Sequence, residues 1–185
     1  MEITSKTKKK QKKKSKKSTS LDKLRTIILN KVIDGDSASK VIEKLLIFSE
    51  ESSRKPITLI INSYGGSVLD GLAIIDTIRS IKAPVRTLII GKACSMAAFI
   101  FLAGDEKVMT KNSYWMIHPM SCGTYDYFSF IKDRVKFEKE LNVKLLELLK
   151  KYTKLIKKDL AKFEVGELWL NSTEAKEKGI TDKVI

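Results

Sequence analysis

Apolar positions in this chain recur with two periods. Short runs rich in β-branched residues predict buried strands at Arg25-Thr-Ile-Ile-Leu-Asn30, Ile57-Thr-Leu-Ile-Ile-Asn62 and Val85-Arg-Thr-Leu-Ile-Ile-Gly91. Between them the spacing turns helical. Ala38, Val41, Ile42, Leu45, Leu46 and Phe48 predict a helix capped by Asp36, and positions 68, 69, 72, 74, 75 and 78 predict a second one after Gly65-Gly66. Met96-Ala-Ala-Phe-Ile-Phe-Leu-Ala-Gly104 predicts a short buried helix with a glycine stop. Strand and helix alternate through residue 104, which argues for an α/β fold with a mainly parallel sheet.

The second half is patterned differently. Lys107–Thr110 and Tyr114–His118 read as two short strands around the turn composition Lys111-Asn-Ser113. Residues 119–129 are irregular. Phe130 to about Lys151 predicts a long helix without Gly or Pro, with an apolar stripe of Ile131, Val135, Leu141, Leu145, Leu148 and Leu149. Phe137, Val143 and Leu146 widen that stripe, so the helix is expected to pack on another subunit as well as on its own domain. A short helix over Tyr152–Phe163, a loop or edge strand over Glu167–Asn171, a helix from Ser172 that stops at Gly179, and an extended end at 180–185 complete the prediction.

Composition divides the chain in two. Of the net charge of +14, +8 belongs to residues 1–20, which hold nine lysines and one Glu. That stretch has too few apolar residues to offset its ordering entropy, so it is expected to be a disordered tail before a single domain over 21–185. Its lysines suit nucleic acid or another anionic surface, and equally a solvated, solubilising tail. It lacks arginine and aromatic residues, which argues against base-specific readout. Cys94 and Cys122 have no metal spacing and suggest a reducing, cytoplasmic setting. His118 is the only histidine, which excludes a His-rich metal site within one chain. No apolar run approaches the ~18 residues of a membrane span, so no membrane contact is expected. There is no Gly-rich Lys-Ser/Thr loop for ATP, and no cofactor is expected.

Three features fall at element ends. Ser95 stands where a strand turns into a helix, beside unpaired N–H groups and the positive end of a helix dipole. His118 ends a strand just before Pro119. Gly65-Gly66 leaves N–H groups uncovered at another strand end. Serine is also a favoured helix cap, and a single histidine is often structural. Together, however, the three can supply a nucleophile, a general base and an oxyanion hole formed by the Gly66 and Met96 amides.

These residues lie in segments that resemble the proteolytic subunit of the Clp protease. The matching stretches are Ile60–Val68, Gly71–Ile78, Ala93-Cys-Ser-Met-Ala-Ala-Phe99, Asn112-Ser-Tyr-Trp-Met-Ile-His-Pro119 and Glu174–Val184, in the family's order. The resemblance covers about Arg25 to Ile185. It implies the ClpP/crotonase-like fold, with repeated β-β-α-type units, a mainly parallel sheet and a protruding handle helix. It also implies a serine endopeptidase that cleaves peptides or unfolded polypeptides through an acyl-enzyme. The family's nucleophile falls on Ser95, its base on His118 and its oxyanion amides on Gly66 and Met96. The family's acid is usually an Asp two residues before an aromatic-Leu pair. That pair is Trp169-Leu170 here, so the role falls on Glu167, with Glu164 the nearest other acid.

The resemblance further implies a homo-oligomer, in the family a tetradecamer of two heptameric rings, fed by an ATP-driven AAA+ unfoldase. Several positions depart from the family pattern. Thr58 and Ile60 replace tyrosines that help dock the unfoldase. Gly166 replaces an arginine that helps link the rings. The lysine tail stands where the family has axial pore loops. Three alternatives follow: a non-catalytic or regulatory subunit of a mixed ring, a nucleic-acid-associated protein that binds through its tail, and, more distantly, a crotonase-type acyl-CoA enzyme.

Overall fold

The computed structural model describes residues 20–121, 123 and 127–185. The lysine-rich stretch lies outside them except for Ser20, and so does Cys122. The elements in order are α1 (Ser20–Lys23), β1 (Thr26–Leu29), α2 (Gly35–Glu51), β2 (Ile57–Ser63), α3 (Val68–Ser80), β3 (Val85–Cys94) and α4 (Met96–Leu102). They continue with β4 (Glu106–Met109), β5 (Tyr114–Ile117), α5 (Phe128–Tyr152), α6 (Lys157–Val165), β6 (Leu168–Asn171), α7 (Ser172–Glu177) and β7 (Lys183–Val184).

The β-branched runs pair in parallel because a helix carries the chain back across the sheet between them. The order is β1-β2-β3-β4-β7, all parallel, and β5 pairs with β3 in parallel and with β6 antiparallel. The core lies between sheet and helices. Leu59, Ile61, Ile89, Ala97, Ile100 and Trp115 are fully buried within it.

Two details correct the expectations, and a third adds to them. The cap of α2 is Asp34, not Asp36: its side chain accepts from the Ser37 N–H at 2.8 Å, and the Ser37 hydroxyl accepts from the Asp34 N–H at 3.0 Å. This reciprocal pair satisfies donors that would otherwise be unpaired at the helix start. Nor does β3 end at Gly91. With φ +81, Gly91 sits in a bulge where β2 advances from Ile61 to Ser63 while β3 advances from Ile89 to Ala93. Finally, β4 and β5 are not partners of one another. Before the bulge β3 pairs with β4, through Arg86↔Glu106 to Ile89↔Met109; after it, β3 pairs with β5, through Lys92↔Tyr114 to Cys94↔Met116. The bulge is the corner at which the strand changes neighbours, and it aims the last residues of β3 toward the site.

Candidate active site

The site assembles where β2, β3 and β5 end. Ser95 joins β3 to α4 with φ 53 and ψ −128, a conformation that a residue with a Cβ adopts only under strain. Such a strand-to-helix elbow projects a side chain clear of the sheet. The Ser95 N–H donates to Met116 O at 2.9 Å, which ties the elbow to β5. The fully buried Trp115 adds a second tie, its indole Nε1 donating to Ala98 O of α4 at 3.2 Å. His118 leaves β5 one residue beyond its last paired position and is half-buried.

The glycine turn packs directly on the elbow. A Cβ on Gly65, whose φ is +98, would lie 2.7 Å from Cys94 O and from Ser95 Cβ. Gly66 is held by a bridge to Ile33, with Ile33 N–H donating to Gly65 O at 2.9 Å and Ser67 N–H to Ile33 O at 2.8 Å. The buried Ser63 fixes the turn from below. Its hydroxyl donates to Lys31 O at 2.6 Å and accepts from the Gly65 N–H at 3.1 Å. The amides of Gly66 and Met96 donate to no backbone partner among the described residues. Two free N–H groups therefore flank the elbow, one in the Gly65-Gly66 segment bridged to Ile33 and one at the first position of a helix.

The acids are placed differently. The β5–β6 pairing ends at Ile117↔Leu168, and His118 and Glu167 each lie one residue beyond it. Glu167 Oε2 accepts from the Trp169 indole Nε1 at 2.7 Å. Among the described residues, neither the Ser95 hydroxyl nor the His118 ring makes a hydrogen bond, so no link joins Ser95 to His118 or His118 to Glu167. Glu164 is exposed near the end of α6 and lines a groove with Pro119 and Met120 on the α5 side. The buried Cys94 thiol is pushed up to about 11, mainly by burial and in part by the Glu167 charge, against an opposing effect of Lys92. The Glu167 carboxylate thus acts electrostatically on the residue adjoining Ser95.

Beside Gly66 lies a cleft of about 350 Å³, lined in part by Val68, Leu69, Met120, Phe137 and Leu141. Arg134 and Glu138, paired at 2.9 Å, stand on its wall. No group of three or more His, Cys, Asp or Glu residues suits a metal ion among the described residues. No helix there is long and apolar enough to cross a membrane.

Sequence reasoning did not anticipate Ser63 as the prop of the turn, nor the Trp169–Glu167 bond. The first could have been suspected from a serine two residues before a glycine amide, a common turn pattern. The second has no such signal.

The family model described as Clp protease matches residues 8–185, reaching into the lysine-rich stretch. The chain is 34% identical over 162 residues to the ATP-dependent Clp protease proteolytic subunit 2 of Treponema denticola, covering 86% of this chain and 81% of that protein. With a mainly parallel sheet, a family match over residues 8–185 and a relative 34% identical over most of its length, this chain belongs to the Clp protease family.

Proposed function

We propose that this protein is a serine endopeptidase, the proteolytic subunit of a Clp-like self-compartmentalised protease, with Ser95 as nucleophile. The observation that carries the reading is the strained Ser95 elbow packed against Gly65 and flanked by the free amides of Gly66 and Met96. Ser95 Oγ attacks the scissile carbonyl carbon while His118 takes its proton. The carbonyl oxygen becomes an oxyanion that the Gly66 and Met96 N–H groups stabilise. As the C–N bond breaks, His118 returns the proton to the leaving amine. Water, deprotonated by the same imidazole, then hydrolyses the acyl-enzyme and frees Ser95. Glu167 orients the imidazole. The substrates are peptides or unfolded polypeptides that lie along the cleft beside Gly66.

The active form is a homo-oligomer, with two seven-membered rings as the leading arrangement and an ATP-driven unfoldase as its feeder. Exposed apolar residues on α5 support assembly, Phe130 being 56% and Val143 55% exposed. We place the protein in the cytoplasm, on its cysteine usage. The test is labelling of the assembled protein with a fluorophosphonate, mapped by mass spectrometry. Label on Ser95, abolished by Ser95→Ala, is the expected result; an unlabelled Ser95 beside a labelled relative overturns the proposal. The missing His118–Glu167 link favours a second reading, a non-catalytic subunit of a mixed ring, which that negative result would support.

A further inference from the structure

Glu167 and His118 each lie one residue beyond the last β5–β6 pair, Ile117↔Leu168, but glutamate has one more methylene than aspartate and one more torsion to restrain. Its carboxylate is not left to wander. Trp169, two residues along, donates its indole N–H to Glu167 Oε2 at 2.7 Å. Both side chains are exposed, so the bond is not forced by burial. The carboxylate has a second oxygen with its own lone pairs, and the Trp169 bond leaves that oxygen available.

We infer that Trp169 is a positioning residue: its indole N–H pins one oxygen of Glu167 and leaves the other to the imidazole of His118. The inference rests on the reading of Ser95 and His118 as nucleophile and base. It gives an over-long acid the restraint that a shorter one has from its own backbone. The donor matters here rather than the ring, so Trp169→Phe is the informative change.

The experiment compares steady-state cleavage of a fluorogenic peptide amide by the assembled full-length protein and its variants. Ser95→Ala reports on the underlying reading: if the parent protein has no cleavage that Ser95→Ala removes, that reading falls and this one with it. Given Ser95-dependent cleavage, Trp169→Phe is expected to lower kcat roughly ten- to hundredfold, the worth of a hydrogen bond to a charged group, with KM changed less than about twofold. Made on Glu167→Asp, the same change is expected to cost less than about twofold, because the shorter carboxylate no longer reaches the indole. Equal losses in both backgrounds would assign Trp169 to packing. An unchanged or faster Trp169→Phe would overturn the positioning role, the faster one marking the bond as a brake on Glu167. Light scattering confirms that each variant assembles.

Discussion

Ser95 concentrates the conflict between folding and chemistry in one residue. Its φ of 53 suits glycine, yet a glycine there would carry no hydroxyl. Ser95→Gly and Ser95→Ala should therefore both abolish cleavage but differ in stability. Ser95→Gly is expected to be the more stable of the two by about 1–2 kcal/mol, the cost of a Cβ in this region. Urea unfolding checks this, and equal midpoints would mean that the elbow carries no strain. At this scale the sequence was informative wherever the signal was local. A serine between an apolar β-branched run and a compact apolar helix marks the elbow, and adjacent glycines mark the turn. It was silent about the bond between Trp169 and Glu167, because side chains two apart meet only when both rotamers cooperate, and no periodicity encodes that.

At the scale of elements, local signals located the helices and strands and missed what tertiary pairing decides. Gly91 looks like a strand end because glycine punctuates; it is a bulge because the residues after it find a new partner in β5. Lys111-Asn-Ser113 has a turn composition, which says nothing of pairing, and the flanking strands join β3 at different points along its length. Asp34 rather than Asp36 is the cap because the backbone is extended at Asp34 (φ −144, ψ 177) and already helical from Gly35, which leaves Asp36 inside the first turn.

The start of α6 offers a test at this scale. Burial pushes the Asp159 carboxyl up, but the Lys178 ammonium at 2.7 Å and the Ile156 N–H at 3.1 Å outweigh it, and the net shift is downward. A carboxyl depressed on folding contributes stability above its unfolded value, about 3.9, and that stability is lost as pH falls through the folded value. Asp159→Asn is expected to lower stability near neutral pH and to flatten its decline below about pH 4. Denaturant unfolding across that range checks this; an unchanged acid slope would remove Asp159 from the account.

The whole molecule turns one side of its longest helix outward. Leu141, Leu145 and Leu149 of α5 are buried against the domain, at four-residue spacing, while Val135 and Val143 are exposed among charged residues. Exposed apolar residues on this helix are expected to be covered by another copy in the assembly. Val135→Glu with Val143→Glu should reduce the mass seen by light scattering while leaving the circular dichroism of the domain unchanged; a mass that does not fall would move the interface elsewhere. The breadth of this stripe was legible in the sequence, since both sides of a helix are written in one string. The partner surface was not, because it lies on another copy of the chain.

The bulge in β3 also has a meaning in terms of parity. Between Ile89 and Ala93 the strand spends two residues more than β2 does between Ile61 and Ser63. An even surplus keeps the alternation of faces in phase, so Ala93 points into the core as Val85, Thr87 and Ile89 do. Deleting one residue at 90–92 would invert every later side chain in the strand and turn Ser95 toward the opposite face. Deleting two would restore the faces but shorten the strand by roughly 7 Å. The pairing with β4 and the seat beside Gly65 could then no longer both be kept. The hydroxyl is thus addressed by count as well as by contact: the length of β3 between its two sets of partners is a quantity that the chain cannot change by one.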